Sequence, residues 1–521
     1  MSQMLKSSGA LASATLTSRI LGMVREIVYA RFMGDGAVAS AFKLAFQIPN
    51  LFRRLLGEGA LSAAFIPIFK AKEKSEGEPE MWRSANAVMS GMVVAAAAIV
   101  GLVMLGLSLL LAVHSFAADT HLMLLLLRVM FPYMLVICLT AVFMGMLNAR
   151  GYFFVPAAGA VVLNLVMIAS VLFLAPRLGK DLNRQIFGLA IGVLAAGVAQ
   201  AAFQLPALRR EGFHYRWVTP WHDETVREVV RKMVPGALGV AAFQINVLVT
   251  NGIAFYIDPQ IVASFDYAVR LMELPQGVFG ISLATYLLPT LAGLAAEKKF
   301  PEFRATLQQG LSYLVFVNLI ASVLLVVLAE PIVRLIFQHG KFDAHSTHRA
   351  SFALACLAPG LVAFSMVNIL ARAFYALGDT RTPMQISVVC LGLNLVFALW
   401  LILPFRQGGL GLANSLTAAC NVGLLLYALR RKLSRLDLSP LTQTLPAKFG
   451  SAALAGALAW VTWQYWERAV GHENLPARIG AVFAPVALAG LSYWGITFFL
   501  QVPAAREIAA VVCQRLRPGN R

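Results

Sequence analysis

Charge is what this chain is short of. Only 13% of its 521 residues are Asp, Glu, Lys or Arg, where soluble globular domains carry about 25%. With 59% hydrophobic residues and a mean hydropathy of +0.73, a soluble fold is excluded and an all-α polytopic membrane protein is expected. Cysteine is scarce as well. Cys138, Cys356, Cys390, Cys420 and Cys513 are scattered without a CxxC pair, so neither a disulfide framework nor a thiolate metal site is indicated. There is no Walker A sequence, GxSxG, HExxH or paired-carboxylate motif in an aqueous loop, which argues against ATP hydrolysis and hydrolytic chemistry. The loops are too short to house a catalytic domain. No enzyme activity, cofactor or metal is therefore expected. The first apolar run carries arginines and lacks a small-residue cleavage site, so no cleavable signal peptide is expected. Acid is the scarcer sign, with 25 acidic residues against 43 basic and a net charge of +18. Without a basic soluble domain this does not point to nucleic acid; it reads as loop charge that sets membrane topology.

Runs of roughly 20 mostly apolar residues mark about 14 spans: 6–33, 37–69, 84–113, 121–149, 156–175, 187–208, 226–256, 261–292, 304–328, 347–376, 383–403, 409–430, 446–466 and 478–500. Spans 1, 2 and 8 are weak in hydropathy because of their charges. An even count puts both termini on one side. Lys70, Lys72, Lys74, Arg83, Arg150, Arg209, Arg210, Arg216, Lys298, Lys299, Arg381 and Arg430–Lys432 gather on that side, which makes it cytoplasmic.

An internal repeat organises these spans. Pro132 is followed by Asn148-Ala-Arg-Gly151, Pro156 and Asn164. Pro359 is followed by Gly378-Asp-Thr-Arg381, Pro383 and Asn394. Each proline pair is separated by 24 residues. Pro49 and Pro67 in span 2 are echoed more weakly by Pro275 and Pro289 in span 8. Six spans lie between the copies, so both insert with one orientation, the parallel kind of transporter repeat. The expected organisation is an N-terminal lobe over 1–210, a C-terminal lobe over 211–435, two further spans in 436–505 and a basic cytoplasmic tail over 506–521. Prolines within spans are tolerated in membranes and mark bending points.

The first two spans are charged where membrane helices rarely are. A charge at bilayer depth costs about 3 kcal/mol even on mild insertion scales. At 100° per residue, Thr15, Ser18, Arg19, Gly22, Arg25, Glu26 and Tyr29 fall within an arc of about 120°. Lys43, Gln47, Asn50, Arg54 and Glu58 share a similar arc on span 2, with Arg53 about 100° away. Arg270 and Glu273 repeat the pattern in span 8. Two interpretations compete: an arginine-lined cavity for phosphate, which suits planar guanidinium forks, or ion pairing with Glu26, Glu58 and Glu273. The acids are candidate gate or coupling groups. Ser40, Lys43 and Gln47 fit a cavity mouth or an outer interface equally well. Asn368 and Arg372 in span 10 either reach the cavity or, for Arg372, snorkel to a helix end, the second being favoured. His345 and His348 read as a loop histidine pair rather than a metal site. Phe337–Phe342 reads as an amphipathic interfacial segment, and Gly188–Gly192 as a helix-packing GxxxG. Asn246, Asn251, Asn394 and Asn414 suit cation coordination or interhelical hydrogen bonds.

Three stretches together carry a resemblance: Ser18-Arg-Ile-Leu-Gly-Met-Val-Arg25; Ile48-Pro-Asn-Leu-Phe-Arg-Arg54 with Gly57-Glu-Gly-Ala60; and Arg270-Leu-Met-Glu-Leu-Pro-Gln-Gly-Val-Phe-Gly280. They resemble the MurJ (MviN) lipid II flippases of the multidrug/oligosaccharidyl-lipid/polysaccharide exporter superfamily, and the similarity runs from span 1 to span 14. The resemblance implies a two-lobed, alternating-access transporter in a bacterial inner membrane. Its substrate would be lipid II, the undecaprenyl-pyrophosphate-linked peptidoglycan precursor. Membrane lipids and cell-wall synthesis proteins would be further partners. It maps cavity arginines to Arg19, Arg25, Arg53 and Arg270, with Glu58 beside them, and assigns spans 13 and 14 to a groove for the lipid tail. It favours Arg53 where the helical arc favours Arg54, so both stay candidates. Many members carry Asp at the positions of Glu26 and Ser40, a basic residue near Gln47, and some a lysine near Asn368. Energy would come from an ion gradient or the membrane potential. A flippase for another lipid-linked glycan and a non-transporting scaffold of the cell-wall machinery are the alternatives.

Overall fold

A computed structural model of the chain describes residues 2–55, 61–433, 437 and 439–516. Helices and short turns account for its regular structure, and no strand occurs among the described residues. The chain divides into two compact units, residues 1–263 with 339–342, and residues 264–338 with 343–521.

The first unit holds α1 (Ser2–Met33), α2 (Ala37–Phe52), α3 (Leu61–Glu76), α4 (Glu78–Val113), α5 (Ala118–Met130), α6 (Tyr133–Ala149), α7 (Phe154–Ala169), α8 (Leu182–Arg210) and α9 (Glu224–Ile257). After α10 (Gln260–Pro275), which crosses the boundary between the units, come α11 (Ser282–Ala296), α12 (Phe300–Val327), α13 (Ala329–Phe337), α14 (Ala344–Leu357) and α15 (Gly360–Ala376). The second unit closes with α16 (Arg381–Phe405), α17 (Gln407–Leu433), α18 (Ser439–Ala469), α19 (Leu475–Phe499) and α20 (Pro503–Leu516).

Eight helical stretches are long and apolar enough to cross a membrane, and two bent pairs bring the number to ten. The bends fall where the repeat places prolines. α5 and α6 meet at Pro132 with a 42° angle, and α14 and α15 at Pro359 with 47°. Proline has no N–H to give the preceding turn, and its ring crowds that turn. α1, the α2–α3 pair, α9 and α18 correspond to the four other expected spans. Span 8, expected to be weak, passes on apolarity as the stretch Gln260–Ala296. α9 contributes a shorter apolar stretch over Ala241–Ile257, among whose residues Gln244, Asn246 and Asn251 are polar.

The repeat also reaches the backbone. Gly151 follows α6 at φ +86°, and Tyr152 N–H bonds Leu147 C=O at 2.9 Å. Gly378 follows α15 at φ +73°, and Asp379 N–H bonds Phe374 C=O at 2.9 Å. Both are left-handed helix ends of the Schellman kind, where glycine avoids the Cβ clash. Each loop is then tied down by ions. Arg150 bonds Glu73 at 2.5 Å, Glu78 at 2.9 Å and Glu211 at 2.7 Å. Hydrogen bonds from Tyr152 and Arg150 hold the Glu211 carboxyl below the usual carboxylate range. Asp379 bonds Lys432 at 2.6 Å and takes the N–H of Thr382; the Lys432 ammonium is the main reason its carboxyl lies well below the ordinary value.

The core of the first unit gathers Phe65, Phe69, Met81, Val142 and Met146 from α3, α4 and α6. That of the second joins α11, α12, α15 and α17 around Leu291, Phe303, Ile369 and Phe374. α18 and α19 pair with each other and seat on α12, where Tyr493 donates to Phe316 C=O at 2.9 Å. Leu102, Val113, Trp400, Leu403, Leu491 and Phe499 lie outward and exposed, as helices facing lipid require. Gly188 and Gly192 pack as expected: a Cβ at Gly192 would collide with the Ser170 hydroxyl. Two expectations need correction. Phe337 and Phe342 are buried, at 0% and 1% exposure, and so belong to the core rather than to an amphipathic interfacial segment. His345 and His348 lie on α14, whose N-terminus Asp343 caps by accepting from Ser346 N–H at 2.7 Å, and not in a loop.

Candidate functional site

α1 and α2 bring their charges together inside the first unit. Glu26 is 4% exposed, and its carboxylate meets Arg25 at 2.6 Å and Lys43 at 3.5 Å. Arg25 also donates to Asn164 Oδ1 on α7 at 3.0 Å and lies over the Tyr29 ring. Asn164 returns a bond to Ser18 C=O at 3.2 Å. Two cations thus share one buried anion. The remaining span 2 polar groups find partners too. Gln47 Oε1 accepts from Asn251 at 2.9 Å, which favours interhelical hydrogen bonding for that asparagine. Ser40 is fully buried, its hydroxyl accepting the N–H of Ala263 at 3.0 Å.

Beside this cluster lies a cleft of about 290 Å³, lined by Thr15, Ser18 and Arg19 of α1, Arg53, Thr140 of α6 and Gln200 of α8, with apolar side chains between them. Arg53 reaches it because α2 passes into a π turn at residues 53–55. The extra residue in that turn shifts the register that an ideal helix would give. Arg53 Nε is steered by Asn50 Oδ1 at 2.8 Å. Arg54 turns the other way and donates to Gln244 Oε1 on α9 at 3.3 Å. Arg19 is exposed and has no carboxylate within ion-pair distance among the described residues. Thr140, fully buried in the wall of the cleft, donates its hydroxyl to Val136 C=O at 2.9 Å. Two guanidinium forks among hydroxyls, in a wall of apolar helices, suit bidentate binding of phosphate oxygens. Glu58 lies outside the described residues.

In the second unit Arg270 pairs with Asp266 at 3.7 Å and Glu273 at 3.1 Å, and Glu273 is exposed. Pro275 is followed by a π segment, Gln276–Ile281. Arg372 donates to Thr285 Oγ1 at 2.7 Å, tying α15 to α11. Asn368 donates to Phe364 C=O of its own helix at 3.1 Å. Asn394 bonds Asn414 between α16 and α17 at 3.2 Å.

A search of the sequence for charge passes over Asn164, Thr140, Gln200 and Gln244 as site residues. A signal for two of them is present all the same: Gln200 and Gln204 are uncharged amides one turn apart in an otherwise apolar span, and Gln244 interrupts another.

The family profile described as "Lipid II flippase MurJ" matches residues 29–479. A protein from Haemophilus influenzae named "Probable lipid II flippase MurJ" is 33% identical over 472 residues, covering 87% of this chain and 90% of its own. One from Burkholderia cenocepacia named "Lipid II flippase MurJ" is 31% identical, covering 93% and 95%. Among solved structures, a lipid II flippase MurJ in an inward closed conformation superposes with a TM-score of 0.77 at 21% identity, over 94% of this chain and 98% of its own. An inward-facing multidrug resistance MATE family transporter of the MOP superfamily gives 0.64 at 16%, over 82% of this chain and 98% of its own; at such identities the likeness speaks for the fold. By the extent of the profile match and the identity to its relatives, the chain belongs to the lipid II flippase MurJ family.

Proposed function

We propose that this protein is a lipid II flippase of the bacterial inner membrane. It takes the undecaprenyl-pyrophosphate-linked peptidoglycan precursor from the cytoplasmic to the periplasmic leaflet by alternating access. The observation that carries this reading is the joint placement of Arg19 and Arg53 in one hydroxyl-lined cleft within apolar helices. Such a cleft offers a pyrophosphate two fixed, charge-assisted forks at a depth where unpaired charge is otherwise costly. Arg25 and Lys43, held by Glu26, add a positive field without leaving their own partners. Arg270, paired with Asp266 and Glu273, is the proposed substrate-binding cation of the second unit. The α18–α19 hairpin is the proposed seat of the polyprenyl tail, and both termini are cytoplasmic by the distribution of basic loops. Neither lobe carries a nucleotide-hydrolysing motif, so an ion gradient or the membrane potential drives the cycle. Each elementary charge moved through 100 mV is worth about 2.3 kcal/mol, and an inside-negative potential favours export of the anionic headgroup.

Complementation tests this reading, in a bacterium whose own lipid II flippase has been replaced by this chain. Arg19→Ala and Arg53→Ala are expected to abolish growth while the protein remains in the membrane. Arg54→Ala, which removes a side chain bonded to Gln244 on α9 and absent from the lining of the cleft, is expected to support growth. Growth with both of the first two variants would remove the cleft from the transport path.

A further inference from the structure

α8 carries two carboxamides where a membrane helix would be expected to place apolar side chains. Gln200 and Gln204 are 6% and 0% exposed. Gln204 Nε2 donates to the main-chain carbonyl of Gln200 at 3.4 Å, yet the side-chain oxygens of both are buried without a hydrogen-bond partner among the described residues. A buried acceptor left without a partner destabilises the fold, a loss that a methionine or leucine at the same position would not incur. Of the two, Gln200 lines the cleft that holds Arg19 and Arg53. Its side chain is wedged in place by the close approach of α7: a Cβ on Gly159 would lie 3.3 Å from its Cγ and 3.5 Å from its Nε2. The carboxamide is therefore fixed in orientation at the wall of the cleft, its oxygen buried and unsatisfied.

We infer that Gln200 is a substrate-contacting specificity residue that engages the neutral, amide- and hydroxyl-bearing sugar of the headgroup rather than its pyrophosphate. This rests on the lipid II reading above. The chemistry separates the two roles. Guanidinium forks pair with phosphate oxygens two at a time and carry the compensating charge, whereas a carboxamide brings no charge to balance an anion. It presents one carbonyl acceptor and two N–H donors, a pattern that matches an N-acetyl group, which offers one N–H and one C=O. Sites that hold a buried hydrogen-bonding group discriminate strongly against analogues unable to pair with it. The arginines thus grip the part common to all pyrophosphate-linked lipids, and Gln200 reads what is attached to it.

Binding by purified protein in lipid nanodiscs tests this with two ligands that share tail and pyrophosphate, lipid II and undecaprenyl pyrophosphate. Gln200→Met and Gln200→Leu are expected to weaken lipid II binding roughly fivefold to a hundredfold. Binding of undecaprenyl pyrophosphate should stay within twofold, and the thermal unfolding midpoint should be unchanged or raised. Arg53→Ala should weaken both ligands. If the two Gln200 variants bind both ligands as the native protein does, or lose both equally while remaining folded, the carboxamide serves water or packing and the inference is overturned. If the native protein binds neither ligand, the lipid II reading itself fails, an outcome separate from the first.

Discussion

Arg53 and Arg54 are neighbours with different tasks, one residue and about 100° of helical rotation apart. Ideal helical geometry puts Arg54 on the polar arc of span 2. The π turn at residues 53–55 changes that register, so Arg53 lines the cleft with Arg19 while Arg54 bonds Gln244. A π turn has no sequence signature of its own, which is why the residue types are legible in the sequence and their facing is not. The charges on α1 and α2 divide in the same manner. Arg25 and Lys43 are both candidates by pattern, and both are spoken for by Glu26. Removing one partner of a buried ion group strands the remaining charge at a cost of about 3–5 kcal/mol. Glu26→Gln leaves Arg25 and Lys43 facing each other without their anion, and the midpoint of thermal unfolding should fall sharply. Lys43→Met leaves the Arg25–Glu26 pair intact and should cost far less. Equal losses in the two variants would show that Glu26 is not the centre of the cluster.

Among the helices, the features that proline and glycine impose are the most readable. Pro132 and Pro359 mark the bends of the α5–α6 and α14–α15 pairs, because a missing N–H cannot be supplied by any neighbour in sequence. The repeat inferred from these prolines continues into Gly151 and Gly378, the matched left-handed residues at the ends of α6 and α15. Alanine there meets the left-handed penalty of roughly 1–2 kcal/mol. Gly151→Ala and Gly378→Ala should each lower the unfolding midpoint. The effect should be similar in the two, since a Cβ at either position would meet nothing within 4 Å and so adds no clash. A variant as stable as the native chain would mean that its loop re-forms without the left-handed residue. Less readable are the elements whose partners are distant in sequence. Phe337 and Phe342 bracket polar residues and look interfacial, yet tertiary packing buries both. α18 carries polar groups inward. One of these is Lys448, fully buried and bonded to Ser312 Oγ at 2.9 Å.

For the whole molecule, composition alone decides between soluble and membrane folds, and three short arginine-bearing stretches point to the family that the profile match shows. Six of the residues proposed from sequence, Ser18, Arg19, Arg25, Lys43, Asn50 and Arg53, lie in the first unit either in the cleft or bonded beside it. What the sequence could not supply is the uncharged part of that site. Gln200 and Thr140 join it only once α6, α7 and α8 have packed. A cationic cleft inside a lipid-facing protein without ATPase parts makes a directional demand on lipid II. The most direct measurement is its exposure on the outer face of the inner membrane. In cells that depend on this chain, the chain is depleted and an external enzyme that cleaves only outward-facing lipid II is applied. The protected fraction should rise, and Arg53→Ala should fail to reverse it where the native chain succeeds. If lipid II stays cleavable after depletion in a cell without a second flippase, the cleft serves another lipid-linked glycan and the central claim is wrong.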